Sequence, residues 1–194
     1  MKEFGFNHLD NFIAGWYIDT DVVDSITKEF TNNKNIWVNA TDSFRGYSSL
    51  GSPCFSDANT LKYRNQLDIC IENYKLKYPS CVPVNDELPK WGLLEPYNFQ
   101  HYHPNKYYSS LHCENNGTSD YTAWRTLVFM TYLNDVHEGG ETEFTNQKIK
   151  VKPEKGLTII WPAYWSHVHK GLPAPSEEKM IVTGWLTYEN IFMA

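Results

Sequence analysis

No apolar run in the sequence approaches the length of a bilayer span, and the opening segment MKEFGFNHLDNFIAGW lacks the continuous apolar stretch of a secretion signal. A cytoplasmic protein with no membrane partner is the expectation. Basic charge is not in excess either. Seventeen Lys and Arg against 23 Asp and Glu leave a net charge of −6, which argues against a nucleic-acid partner, since such proteins carry basic surfaces. The balance still allows a peptide or small anion held by one local cation. Cys54, Cys70, Cys81 and Cys113 form no C-x-x-C pair, so they read as reduced thiols rather than a disulfide frame or a structural zinc site. Repeats, low-complexity tracts and linker-like stretches are missing as well. The 194 residues therefore read as one domain, 1–194, long enough to bury a core.

What the sequence does have is aromatic side chains, at 15% of residues, a composition suited to strands. Residues 11–18, NFIAGWYI, read as a strand, and Asp19-Thr20-Asp21 as the capped start of a helix over 21–31 with Val22, Val23, Ile26 and Phe30 at helical spacing. A short strand at Ile36–Asn39 is expected within a stretch rich in Asn, Ser and Gly. A second helix is expected from about Asp57 to Tyr78, with Leu67, Cys70, Ile71 and Tyr74 on one stripe and Pro79 ending it. Residues 1–90 thus supply support elements.

From Trp91 the pattern changes to short apolar runs divided by turn residues. The expected strands are Tyr97–Tyr102, Ser109–Glu114, Trp124–Leu133, Glu143–Phe144, Lys148–Lys152, Leu157–Trp161, Ser166–His169 and Met180–Tyr188. Such spacing without intervening helices predicts a jelly roll, a double-stranded β-helix, over 91–190, giving a mainly β protein with supporting helices. Asn134-Asp135 with Glu138-Gly139-Gly140, and Pro153-Glu154-Lys155-Gly156, are the clearest turns. Lys148, Lys150 and Lys152 alternate with Ile149 and Val151. They read as an exposed edge protected by charge, with a basic docking face as the alternative.

The chemistry concentrates in Tyr102 and the stretch that follows it, HPNKYYSSLHCE, which ends in His112-Cys113-Glu114. On an extended chain His112 and Glu114 share a face and Cys113 points away. An imidazole beside a carboxylate is two thirds of a 2-His-1-carboxylate site, which binds Fe(II) on one face and leaves other positions open. The third ligand has to come from elsewhere. WSHVHKGLP offers His167 and His169, which periodicity places on one strand face and cannot separate.

These residues continue in order through Arg125, Tyr132-Leu133-Asn134-Asp135, Gly139-Gly140-Glu141-Thr142-Glu143-Phe144, Pro153-Glu154-Lys155-Gly156, Trp161-Pro162, His169, Lys179 and Thr183-Gly184-Trp185. The series resembles the prolyl 4-hydroxylase-like branch of the 2-oxoglutarate- and Fe(II)-dependent dioxygenases, and looks closest to small bacteriophage-encoded members. The resemblance covers roughly residues 97–189. One departure is Glu114, where the family more often has Asp; Glu adds a methylene of reach.

The resemblance implies Fe(II), 2-oxoglutarate and O2 as cofactors, with ascorbate as a reductant, and a host cytoplasm as the site of action. It implies metal ligands His112, Glu114 and His169, the last chosen because it stands four residues before Pro173 and ten before Lys179. Lys179 and Tyr102 would hold the distal carboxylate of 2-oxoglutarate, with Thr183 adding a hydrogen bond. Arg125 would be the catalytic, substrate-side cation and Trp124 and Trp185 would bound a prolyl-sized pocket; a structural ion pair and core packing are the alternatives. Residues 115–120 follow the ligand segment as a lid or a surface loop. The implied reaction is hydroxylation, at C4, of a prolyl residue in a peptide or protein, with release of succinate and CO2. Other residues, a free amino acid or a nucleobase are the alternative substrates, and a non-catalytic metal-binding jelly roll the alternative role.

Overall fold

Alternation along the central strands sorts the side chains into two layers, and the architecture follows from that sorting. The computed structural model describes residues 1–6, 11–33, 38–40, 47–51, 58–82, 90–117 and 120–189. In chain order the elements are β1 (Glu3–Phe4), β2 (Ala14–Tyr17), α1 (Thr20–Asn32), β3 (Val38–Ala40), β4 (Tyr47–Gly51), α2 (Ala58–Lys77), β5 (Trp91–Gly92), β6 (Asn98–Tyr102), α3 (Asp120–Ala123), β7 (Arg125–Tyr132), β8 (Thr142–Phe144), β9 (Ile149–Val151), β10 (Leu157–Pro162), β11 (His169–Gly171) and β12 (Lys179–Tyr188).

One antiparallel sheet runs β1-β2-β10-β7-β12-β6-β4-β3, with β5 beside β12, and a smaller sheet runs β11-β8-β9. The fold is mainly β, with curled antiparallel sheets backed by helices, as a jelly roll requires. On the large sheet Leu127 and Phe129 of β7, Ile160 of β10 and Val182 and Leu186 of β12 join the helices. There they meet Val23, Ile26 and Phe30 of α1 and Tyr63, Leu67, Cys70, Ile71 and Tyr74 of α2. The intervening residues Val128, Met130, Tyr132, Ile159, Trp161 and Ile181 face the other way, toward Phe144 and Val151 of the small sheet. Each such buried side chain contributes about 1.5–3 kcal/mol of transfer free energy. The helices stiffen one face of the large sheet and leave the space between the sheets for a site.

Several boundaries differ from the sequence reading. Residues 109–114 form no strand. They bend at Ser110 and Glu114 around one isolated bridge, His112 opposite His169. The expected strand at Ser166–His169 is a 3-10 turn over Trp165–His167 followed by β11, so His167 and His169 do not share a strand face. Asp19 stands at the N-terminus of α1 but makes no side-chain cap. Its carboxylate accepts from Gln66 Nε2 at 2.6 Å and its N–H donates to Gln66 Oε1 at 2.8 Å, tying α1 to α2. Of the strand expected at Ile36–Asn39, residues 36 and 37 lie outside the described residues, as does Cys54. Cys70, Cys81 and Cys113 are free thiols. None of the described helices is long and apolar enough to cross a membrane.

The turn Pro153–Gly156 holds three segments together. Gly156 accepts from the Ile18 N–H at 2.9 Å and donates its own N–H to the Tyr132 carbonyl at 2.8 Å. Its φ is +86°, and a Cβ there would stand 2.6 Å from the Ile18 carbonyl oxygen. Both strain and collision oppose any side chain. Gly156→Ala is expected to lower stability by about 1–3 kcal/mol. Urea denaturation reads this as a lower midpoint at unchanged slope, and an unchanged midpoint would refute it.

Candidate active site

The site is built on a backbone exchange. His112 N–H donates to the His169 carbonyl at 3.1 Å and His169 N–H donates to the His112 carbonyl at 2.9 Å. Residues directly opposite in an antiparallel pair project to the same face, and the two imidazole centroids lie 4.3 Å apart. Glu114, two residues beyond His112, falls on that face too. Its Oε1 is 3.2 Å from His112 Nε2 and 3.8 Å from His169 Nε2. One donor atom from each of His112, Glu114 and His169 lies within 4.8 Å of the others.

The remaining imidazole nitrogens fix the tautomers. His112 Nδ1 is 2.8 Å from the Ser110 carbonyl and His169 Nδ1 is 3.0 Å from the His167 carbonyl. A carbonyl only accepts, so each Nδ1 carries a proton and each Nε2 is the nitrogen turned to the centre. His169 is enclosed by Trp161, at 5.1 Å between centroids, and Phe144, at 5.6 Å. Burial, then the neighbouring His112, pushes its pKa down to about 4, which keeps it neutral. For Glu114, burial acts to raise the carboxyl. The hydrogen bond and charge of His112, with His169 and the Trp185 indole, outweigh it and bring the group to about 2. Two imidazoles whose outer nitrogens are already bound, beside an ionised carboxylate, fit a divalent iron ion.

The second carboxylate oxygen is held from behind. Trp185 Nε1 donates to Glu114 Oε2 at 2.8 Å and Arg125 Nη1 lies 3.5 Å from the same atom. Arg125 stacks on the Trp185 ring at 3.5 Å and binds Glu95 through Nε at 3.1 Å and Nη2 at 2.8 Å. Oε1 is thereby left as the atom facing the imidazoles. The longer Glu side chain is oriented by three residues rather than by its own stiffness.

Arg125 reaches this position through a bulge. The register passes from Leu186↔Leu127 to Thr187↔Arg125, so one extra residue, Thr126, shifts the alternation of β7. Regular alternation would have sent Arg125 toward the helices with Leu127 and Phe129. The guanidinium is engaged by Glu95, Glu114 and Trp185, not presented to an incoming carbonyl.

Deeper between the sheets lies a cavity of about 320 Å³. β12 lines it with Lys179, Ile181, Thr183 and Trp185, and β6 with Asn98, Gln100 and Tyr102, both at strict alternation. Lys179 stands opposite Tyr102 in register. Its ammonium is buried and donates to the Gly140 carbonyl at 2.7 Å. That carbonyl is placed by the turn at Gly139 and Gly140, both with positive φ. Burial lowers the Lys179 pKa to about 8, partly offset by Glu141. An ammonium has three donors, and a buried one calls for a counter-charge. The lysine therefore suits an anionic carboxylate entering the cavity, as 2-oxoglutarate would supply. Tyr102 donates to Gln100 Oε1 at 2.6 Å, and the Thr183 hydroxyl donates to the Phe129 carbonyl at 3.0 Å.

Of the residues singled out from the sequence, His112, Glu114, His169, Arg125, Tyr102, Lys179, Thr183 and Trp185 all line this one cavity. Trp124 does not. It precedes the bulge, and its carbonyl accepts from the Tyr188 N–H at 2.9 Å. His167 is buried elsewhere, with Nε2 2.8 Å from the Asn11 carbonyl and Nδ1 2.9 Å from Ser166 Oγ. In the segment 115–120, Asn115 donates to the carbonyls of Ala123 and Arg125, and residues 118 and 119 lie outside the described set. Gln100 could have been found by alternation from Tyr102. Glu95 carried no local signal, since nothing near it in sequence points to Arg125.

Residues 97–187 match the family model described as the 2OG-Fe(II) oxygenase superfamily. No curated protein matches the chain in sequence. Solved structures share the fold. The viral collagen prolyl hydroxylase of Paramecium bursaria Chlorella virus-1, in complex with 2OG, superposes with a TM-score of 0.69 at 21% identity, over 90% of this chain and 95% of that one. A Pseudomonas putida prolyl-4-hydroxylase gives 0.70 at 16% identity, over 94% and 97%. A Trichoplax adhaerens prolyl hydroxylase, in complex with a peptide fragment of the hypoxia inducible factor oxygen degradation domain, gives 0.68 at 14%, over 92% and 84%. The cofactors of the matched family are Fe(II), 2-oxoglutarate and O2, and the donor set between the sheets fits the first two. By sequence over residues 97–187, and by fold over most of its length, the chain is thus similar to the 2OG-Fe(II) oxygenase superfamily.

Proposed function

We propose that this protein hydroxylates a prolyl residue of a peptide or protein, with 2-oxoglutarate as cosubstrate. The observation that carries the reading is the placement of His112, Glu114 and His169 in the same cavity as the buried ammonium of Lys179. When bound, the iron lets O2 be divided, one oxygen atom going to succinate as CO2 leaves and the other to the substrate C–H bond. The chain supplies everything around that chemistry. The two Nε2 atoms and Glu114 Oε1 would hold the metal, and Lys179 would pair with the distal carboxylate of 2-oxoglutarate beside Tyr102. Trp161 and Phe144 keep water from the back of His169.

A prolyl substrate is supported by the fold shared with three prolyl hydroxylases, one of them holding a peptide. Trp185 contributes an indole ring to the lining of the site. Arg125, fastened to Glu95, is read as the residue that keeps that ring and the Glu114 carboxylate in place.

Incubation with Fe(II), 2-oxoglutarate and a library of proline-containing peptides should yield succinate and products heavier by one oxygen atom on proline. Products on a different residue would overturn the prolyl assignment, and absence of both succinate and products would overturn the enzyme. His169→Ala is expected to abolish turnover while His167→Ala retains it; the reverse result would exchange their roles. Lys179→Ala should raise the 2-oxoglutarate KM by at least ~10-fold, the loss of one charge-assisted contact of about 1.5–3 kcal/mol, with Mn(II) affinity little changed. Trp185→Phe keeps the ring under Arg125 but removes the N–H on Glu114. Metal affinity should fall ~10–100-fold, as outer-shell losses typically do. An unchanged Mn(II) dissociation constant would show that the indole does not orient the carboxylate.

A further inference from the structure

A second cluster of metal-ligating side chains lies on the same strand pair as the cosubstrate-binding residues, and on the opposite face. His101 lies on β6 and His103 directly follows its last residue, Tyr102, while Glu178 immediately precedes Lys179, the first residue of β12. The register pairs Lys179 with Tyr102 and Met180 with His101. Extended by one residue, it sets Glu178 opposite His103. Since Tyr102 and Lys179 face the cavity, alternation sends His101, His103 and Glu178 outward together.

The geometry repeats that of the iron site. There, a cross-strand pair is joined by a residue two positions along, and two imidazoles sit 4.3 Å apart around one carboxylate. Here the imidazole centroids are 4.6 Å apart. His101 Nε2 is 3.1 Å from Glu178 Oε2 and His103 Nδ1 is 3.2 Å from Glu178 Oε1. All three residues offer a donor atom within 4.8 Å of the others. Two ligand atoms each about 2.1 Å from a tetrahedral ion stand roughly 3.4 Å apart, and the observed N···O separations of 3.1 and 3.2 Å lie a little below that value.

The cluster is also pre-positioned. The side chain of His101 is 6% exposed. Asn134 clamps the backbone around Glu178, donating from Nδ2 to the Glu178 carbonyl at 2.8 Å and accepting the Met180 N–H on Oδ1 at 2.8 Å. Glu178 is held below the usual carboxylate range. Burial opposes the shift, but the hydrogen bonds of His103 and His101 outweigh it.

We propose that His101, His103 and Glu178 form a second divalent-metal site, separate from the iron site and suited by its mixed N/O donors to Zn2+. His103 and Glu178 are half exposed or more, which leaves room for water as a further ligand. A bound ion would fasten the end of β6 to the start of β12, one residue away from Tyr102 and Lys179. Occupancy thereby links metal supply to the rigidity of the 2-oxoglutarate end of the cavity.

Untagged protein stripped with chelator, titrated with Zn2+ and desalted, tests this by metal analysis. Wild type should retain two zinc ions per chain, His112→Ala one, and His103→Ala one. Glu178→Gln should also retain one; both residues are exposed enough that these variants are expected to fold. In the His112→Ala background, Zn2+ should raise the thermal midpoint, and addition of His103→Ala should remove that rise. Full zinc retention in both His103→Ala and Glu178→Gln would overturn the site. So would a wild-type protein that retains one ion and loses it completely in His112→Ala.

Discussion

The reciprocal pair of backbone hydrogen bonds between His112 and His169 is the contact on which the rest depends. Two segments far apart along the chain meet there, and because opposite residues in an antiparallel pair face the same way, one register brings both imidazoles to a common centre. Glu114 follows from it at no further structural cost, being two residues along. A slip of one residue would turn His169 away from the others. The segment 109–114 has little regular structure of its own, so this register is maintained by β11 and by the Ala163 carbonyl, which accepts from the N–H groups of Glu114 and Asn115.

The large sheet is what makes such a register affordable. Its helix-side residues, from Phe129 to Leu186, pack into a buried, mainly apolar layer against α1 and α2, so the opposite face can carry polar groups without loss of the fold. Lys179 illustrates the balance. Its ammonium is buried at a cost that depresses its pKa, and the strand remains in place because Val182 and Leu186 on the alternate face are fully buried. The bulge at Thr126 makes a similar exchange. It gives up one regular step of the ladder and turns Arg125 to Glu95, Trp185 and Glu114, forming a polar unit with exposures of 13% for Arg125 and 9% for Glu95. Removing one member of a buried pair leaves the other charge uncompensated, so the unit resists piecemeal change.

The two His/His/carboxylate clusters show how readily β structure gathers donors. In each, a residue opposite and an i±2 neighbour supply three ligands from two paired segments. The first closes on a cavity lined by an inward lysine, and the second opens to solvent on the reverse face. The same sheet geometry serves both, and surroundings decide what each can hold.

Much of this was legible in the sequence because it rests on local periodicity. The stripe Leu67, Cys70, Ile71 and Tyr74 gave the helix on the large sheet, the glycines at 139, 140 and 156 gave turns, and alternation grouped Lys179 with Thr183 and His112 with Glu114. Nothing local separated His167 from His169. Their apparent shared face dissolved when residues 165–167 became a 3-10 turn. Nor could alternation foresee that Arg125 would change sides, that Trp124 would miss the cavity, or that Glu95 would complete an ion pair. Those outcomes depend on register between distant strands and on a bulge, which are settled by the packing of the whole sheet. The sequence by itself determined which residues were candidates for the chemistry and, where strands run regularly, which faces they share within a segment. Tertiary structure decided which faces meet, because a cross-strand register is a property of two segments at once and leaves no trace in either alone.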